Sequence, residues 1–146
     1  MIEVVLVTTE ATYDLRRRVL RSGTPSADPS FRDDADPATV HMAVRDGEAV
    51  VAVATVIPCP TPWREGTVTR QLRGMAVEPA RQGEGLGRLL LDAIIARARS
   101  EGASVLWANA RVSALPFYEA AGMTPIGDVF VPAETGLAHR VVVLDL

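Results

Sequence analysis

The segment Met75 to Arg88, M-A-V-E-P-A-R-Q-G-E-G-L-G-R, limits what the rest of the chain can become. The spacing predicts a strand over about residues 68–77, a stop at Pro79, glycines at 83, 85 and 87, and a helix over residues 84–101. A strand, tight turn and helix in that order call for a second strand, parallel to the first, beyond the helix. S-V-L-W-A at residues 104–108 supplies it. Glycine lets a backbone bend tightly and approach a ligand with no Cβ in the way. The amides of such a turn, with the unpaired N–H groups of the helix behind it, make a site for phosphate. Two familiar phosphate loops are excluded. The P-loop needs G-x-x-x-x-G-K-S/T and this chain has no lysine, while the third glycine of a dinucleotide fingerprint would fall on Arg88.

Upstream, β-branched residues 2–8 predict a first strand, and Thr8 or Thr9 can cap a helix over residues 10–21. Tyr13, Leu15, Val19 and Leu20 form its apolar face. Arg16, Arg17, Arg18 and Arg21 then read as a solvated face, with contact to an acidic acceptor or to phosphate as the alternative. Residues 23–37 hold three prolines and four aspartates and predict a long loop. Asp28, Asp33, Asp34 and Asp36 are either solvated loop charges or an attractor for an amine. Asp46-Gly47 marks a hairpin between strands over 39–45 and 48–57. Leu86, Leu89, Leu90, Ala93, Ile94 and Ala98 form the core stripe of the long helix, which Gly102 ends. A second helix over 112–121 and strands over 123–131 and 137–146 complete the chain.

At 146 residues the chain is expected to form a single domain, residues 1–146. A net charge of −3 argues against a nucleic-acid partner, since such binders carry a basic surface. Cys59 stands alone, and His41 and His139 are scattered, so neither a disulfide nor a metal site of usual composition is expected. No apolar run approaches the roughly 20 residues that span a bilayer. The opening M-I-E-V-V-L-V-T lacks a basic leader, so the expected location is cytoplasmic.

Gln82, Gly85 and Gly87 form Q-x-x-G-x-G, preceded by A-V-x-P and followed by L-L-L; A-L-P-F-Y-E-A-A-G-M occupies residues 114–123. Both stretches, in this order of elements, resemble the GNAT superfamily of acyl-CoA-dependent N-acyltransferases, and the resemblance covers nearly the whole chain. It implies an α/β (α+β) fold with a mixed central sheet of six to seven strands, flanked by helices and splayed between two parallel strands. The implied co-substrate is acetyl-CoA, with no metal. The implied partner is a small-molecule amine acceptor, a small metabolite or amino-acid-like amine, and neither nucleic acid nor membrane. An apolar last strand leaves pairing across a homodimer open.

The resemblance also assigns residues. Gln82, Gly83, Glu84, Gly85, Leu86, Gly87 and Arg88 would hold the diphosphate, with a surface role for the Arg88 side chain equally open. Met75, Ala76 and Val77 would offer a strand edge to pantetheine and an amide to the thioester oxygen. The family's cofactor-binding asparagine corresponds to Arg111 here, and Asn109 lies two residues earlier. Tyr118, in F-Y-E-x-x-G, would be the general acid, the alternative being an aromatic anchor for its helix. The base is unassigned: His139, the acidic loop or a water chain would serve. Arg73 faces either an acceptor carboxylate or solvent. Because no carboxylate stands on the central strands, a non-catalytic acyl-CoA-sensing module or interaction subunit is the alternative function.

Overall fold

Apolar runs at alternating spacing build one sheet of seven strands in the order β1-β2-β3-β4-β5-β7-β6. The computed structural model describes all residues from Met1 to Leu146. The strands are β1 (Ile2–Leu6), β2 (Val40–Asp46), β3 (Ala49–Pro58), β4 (Thr69–Val77), β5 (Val105–Arg111), β6 (Thr124–Phe130) and β7 (His139–Asp145). Neighbours are antiparallel except β4 and β5, which are parallel because the helix α2 (Leu86–Ser100) crosses over between them. The predicted mixed sheet of six to seven strands is thus observed. No helix is long and apolar enough to cross a membrane.

Alternation along β2 and β3 decides the layers. Met42, Val44, Ala52 and Ala54 turn toward Leu90, Leu91 and Ile94 of α2 and form the larger core. Their neighbours Ala43 and Val53 turn the other way, against Leu15. The helix carrying Leu15, here α1 (residues 10–20), is irregular: a 3-10 turn, an α turn, then a wide π turn over Arg16–Leu20 closed by Arg21 N–H donating to Arg16 O at 3.0 Å. The third helix, α3 (Leu115–Ala120), follows a 3-10 turn at Val112–Ala114.

Beyond Leu72 and Ala108, β4 and β5 no longer pair. β5 instead continues against β7 through Arg111, opposite His139. β4 meanwhile bulges: Thr55 lies opposite Arg73 and Val53 opposite Ala76, so Gly74 and Met75 share one partner. Gly74 takes φ +60°, and a Cβ there would stand 2.6 Å from the Phe31 ring. Strand separation and bulge together open a V on the helix-bearing end of the sheet.

Four expectations change. The helix predicted from residue 84 begins at Leu86, with Gly85 in the left-handed region as its cap. Arg16 does not lie on a solvated face; it is fully buried, because helical spacing sets it between Val19 and Leu20 on the inward side and Asp34 meets its charge there. Strand β5 runs past Ala108 because β7, not β4, pairs its last residues. The last strand has β5 on one side and β6 on the other, so both its edges are used and it cannot pair with a second copy.

Candidate active site

The turn between β4 and α2 is a run of unused donors. After the 3-10 turn Pro79–Arg81, Gln82 N–H reaches Pro79 O at 3.5 Å, and the next amide to donate is Leu89, to Gly85 O at 3.0 Å. Between them the N–H groups of Gly83, Glu84, Gly85, Leu86, Gly87 and Arg88 find no acceptor in the protein. Gly83 and Gly85 sit at φ +87° and +82° with open space where a side chain would project. Gly87 serves otherwise: a Cβ there would lie 3.3 Å from both Phe117 and Val77, so its glycine lets α2 approach α3 and β4. Arg81 bridges Glu84 at 2.9 Å and Asp46 at 3.0 Å and ties the turn to the β2–β3 hairpin. The Arg88 side chain points back to Asp92 and to Ala120 O, leaving only its amide toward the turn. A dense set of oriented N–H groups at a helix start attracts anions.

The free edge of β4 continues from this turn. Glu78 N–H donates toward β3, to Val51 O at 2.8 Å, so by alternation Val77 N–H points away from β3 into the splay. The Ala76 side chain is buried and Met75 lines the cleft that follows. That cleft, about 560 Å³, is walled by the β4 bulge, by the ends of β5 and α1, by α3, and by Ser30, Phe31 and Arg32 and the Glu134–Thr135 loop. Asn109 and Arg111 both reach it, as do Gln71 and Arg73 from β4. Residues far apart in sequence, from Leu20 to His139, meet here because the sheet has opened.

Tyr118 enters the cleft from α3. It is 8% exposed, its ring packs edge-on against Phe117, and burial pushes its hydroxyl up to about 12. The phenol therefore keeps its proton at any pH at which the protein would work. Across the cleft, His139 is buried at the start of β7 and stacks on Phe130 with ring centroids 5.9 Å apart. Its Nδ1 lies 2.7 Å from Leu137 O. A carbonyl oxygen can only accept, so Nδ1 carries the hydrogen, and Nε2 has no hydrogen-bond partner in the protein.

The aspartates of the long loop are spent inside the protein. Asp34 forms a buried pair with Arg16 at 2.7 and 3.1 Å and accepts from Phe31 N–H at 2.8 Å. Arg16 also donates to Thr55 at 2.7 Å and to Pro29 O at 3.1 Å, and its guanidinium lies 3.8 Å from the Phe31 ring centre. Asp33 holds Arg73 at 3.2 Å, so Arg73 meets an internal carboxylate rather than solvent. Asp28 and Asp36 fold onto their own loop. None of the four is a free attractor for an amine. The same contacts fix Phe31 at the cleft mouth, with Arg32 next to it in the lining. Sequence reasoning had no hold on the Arg16–Asp34 pair. A lone glycine inside a strand, Gly74, was the one local signal of the bulge.

A parallel pair splayed behind a turn of unpartnered amides, with a tyrosine in the opening, makes a cleft with an anion-attracting end. Residues 9–123 match the acetyltransferase (GNAT) family, and the chain belongs to it. It is 25% identical over 130 residues to YitI of Bacillus subtilis, an uncharacterised N-acetyltransferase, covering 89% of this chain and 87% of that one. A solved structure from Lactobacillus plantarum, assigned as an N-acetyltransferase, superposes with a TM-score of 0.82 at 18% identity, over 99% of this chain and 98% of the other. An aminoglycoside 6'-N-acetyltransferase solved with coenzyme A gives 0.74 at 14% identity, over 98% and 96%. At these identities the two structures establish the fold.

Proposed function

We propose that residues 1–146 form one N-acyltransferase domain that moves an acetyl group from acetyl-CoA to the primary amine of a small metabolite. The observation that carries this reading is the run of unpartnered amides from Gly83 to Arg88, opening onto the splay that leads to Tyr118 and His139. A diphosphate fits those donors, and an extended amide chain fits the free edge of Met75, Ala76 and Val77 facing Asn109. When bound, acetyl-CoA supplies the activated acyl group as a thioester.

The chain's own residues then divide the work. Gln82 and the amides through Arg88 hold the diphosphate, and the Leu86 side chain, buried in the core, fixes the helix start. The Val77 edge presents an N–H to the carbonyl oxygen as charge grows on it; one such donor is typically worth about 3 kcal/mol. The bare Nε2 of His139 accepts the amine proton, directly or through one water. Tyr118 donates to the departing sulfur. A phenol near 12 is a weaker acid than a free thiol by enough to make proton transfer costly in water, about 1.4 kcal/mol per unit. In this cleft the thiolate loses solvation as the phenolate does, so both rise and the gap narrows. Hydrogen bonding from Tyr118 to the sulfur is the minimum role.

His139 in the cleft supports the enzyme over the non-catalytic sensor, for which the case was that no carboxylate stands on the central strands. The test is thiol release from acetyl-CoA over a panel of primary amines, with the product identified by mass. Amine-dependent release supports the enzyme. Acetyl-CoA binding with no release for any amine supports the sensing module.

A further inference from the structure

The acceptor end of the cleft carries more positive charge than its surroundings neutralise. Arg21, Arg32, Arg73 and Arg111 line it, against one carboxylate side chain, that of Glu134. Most guanidinium groups elsewhere sit against a carboxylate, and Arg73 does so with Asp33. Arg21, Arg32 and Arg111 have none within 4.0 Å, and the exposed Glu134 pairs with no arginine.

Arg111 and Arg21 are held, but by groups that cannot cancel their charge. Arg111 ends β5, and its Nη2 donates to Leu20 O at 2.5 Å. Arg21 ends α1, and its Nε donates to Asp28 O at 2.9 Å, with the Phe31 ring 5.5 Å from its guanidinium carbon. Carbonyl oxygens orient a guanidinium fork and leave its remaining N–H groups free to face the cleft. Burial, then the charge of Arg21, pushes the Arg111 guanidinium below the usual arginine range. Two like charges brought together and partly stripped of water are costly, and an anion between them removes the cost.

Resting on acetyl transfer as the reaction, we infer that the acceptor amine carries a carboxylate, seated between Arg111 and Arg21. The acceptor class is then amino acids and amino-acid-like amines, not alkylamines or polyamines. A cationic acceptor would meet the arginines as a repulsive wall. A planar carboxylate matches the guanidinium fork with two parallel hydrogen bonds. Such a substrate lies with its amine toward His139 and Tyr118 and its acid toward the ends of α1 and β5.

The test uses the full chain, with coenzyme A present for binding and acetyl-CoA for turnover. The probes are the L-amino acids, their amides, the corresponding decarboxylated amines, and aminoethyl phosphate as a phosphate-bearing amine. At least one amino acid binds and is acetylated, with its amide poorer by on the order of 100-fold in kcat/KM. Arg111→Gln and Arg21→Gln raise the amino-acid KM by roughly 10- to 100-fold and leave the acetyl-CoA KM in place, which shows that both variants are folded. Arg111→Lys recovers part of the loss. Arg17→Gln, at an exposed arginine outside the cleft, changes nothing.

Amides or plain amines used as well as acids, or an unchanged acid-over-amide ratio in both glutamine variants, overturns the inference and leaves acyl transfer standing. Preference for aminoethyl phosphate over every amino acid overturns the carboxylate assignment. Amino-acid binding that Arg111→Gln abolishes, with no acetyl transfer to any amine, keeps the carboxylate seat at the arginines but overturns its reading as an acceptor site. An absence of both binding and reaction for every amino acid overturns it.

Discussion

Replacing Asp34 by asparagine keeps the shape of the side chain and removes its charge from beside a guanidinium closed off from the surface. The Arg16 side chain is 0% exposed and that of Asp34 7%. Breaking a buried pair from one side leaves the other ion uncompensated and typically costs about 3–5 kcal/mol. For a chain of this size that is a fall in Tm of roughly 6–20 °C by calorimetry. The whole pair need not stabilise the fold, so Arg16→Met with Asp34→Leu is expected to cost less than the two single changes added together. The pH dependence has a definite sign. Burial pushes the Asp34 carboxyl up, but hydrogen bonds from Arg16 and from Phe31 N–H outweigh it and hold the carboxyl below the ordinary aspartate range. A lowered folded value means stability present above the unfolded value of about 3.9 and lost as pH falls through the folded one. The gap between wild type and Asp34→Asn therefore narrows below about pH 4. Because the pair anchors the loop bearing Phe31 and Arg32, the variant also raises the acceptor KM while acetyl-CoA binding stays intact. An unchanged Tm, or a gap that stays constant from pH 7 to pH 3, refutes this account of the pair.

Three further outcomes follow from the cleft. Tyr118→Phe lowers kcat and keeps acetyl-CoA affinity in a titration, and the wild-type rate shows no alkaline fall from this phenol below about pH 11. An unaffected kcat would make Tyr118 an anchor only. His139→Gln lowers kcat by roughly 10²–10⁴-fold and keeps acetyl-CoA affinity, and an undiminished kcat would place the base elsewhere. Gly74→Ala forces a side chain into a left-handed backbone at about 1–2 kcal/mol and pushes the Phe31 ring away. Thermal melting falls by several degrees and the acceptor KM rises; a stable variant with wild-type KM contradicts the role given to the bulge.

What could be read from the sequence was local. The periodic stripe of α2, the glycines before it and the Asp46-Gly47 turn each carry their geometry within a few residues, so their elements and order were legible. The register of the parallel pair was not. Nothing in V-L-W-A-N-A-R tells that Ala108 is the last residue to pair with β4, because that depends on β7 arriving from the far end of the chain. The R-R-R run of α1 read as solvent-facing because charged side chains stay outside unless a partner is in view. Helical spacing sets Arg16 among Leu15, Val19 and Leu20 on the inward face, where its partner comes from an irregular loop 18 residues on. The cluster at the cleft mouth was invisible for the same reason: Arg21 and Arg111 are 90 positions apart and meet only once the sheet is assembled.

The central claim is that the amides from Gly83 to Arg88 hold the diphosphate of acetyl-CoA. Calorimetric titration of acetyl-CoA into the wild type and into Gly85→Val tests it most directly. Gly85 has open space around its missing side chain and φ +82°, so valine acts through backbone strain alone and turns the amides out of line. Binding in the micromolar range to the wild type, lost in a variant that still melts cooperatively, is the expected result. Equal binding by both proteins, or none by the wild type, contradicts the account.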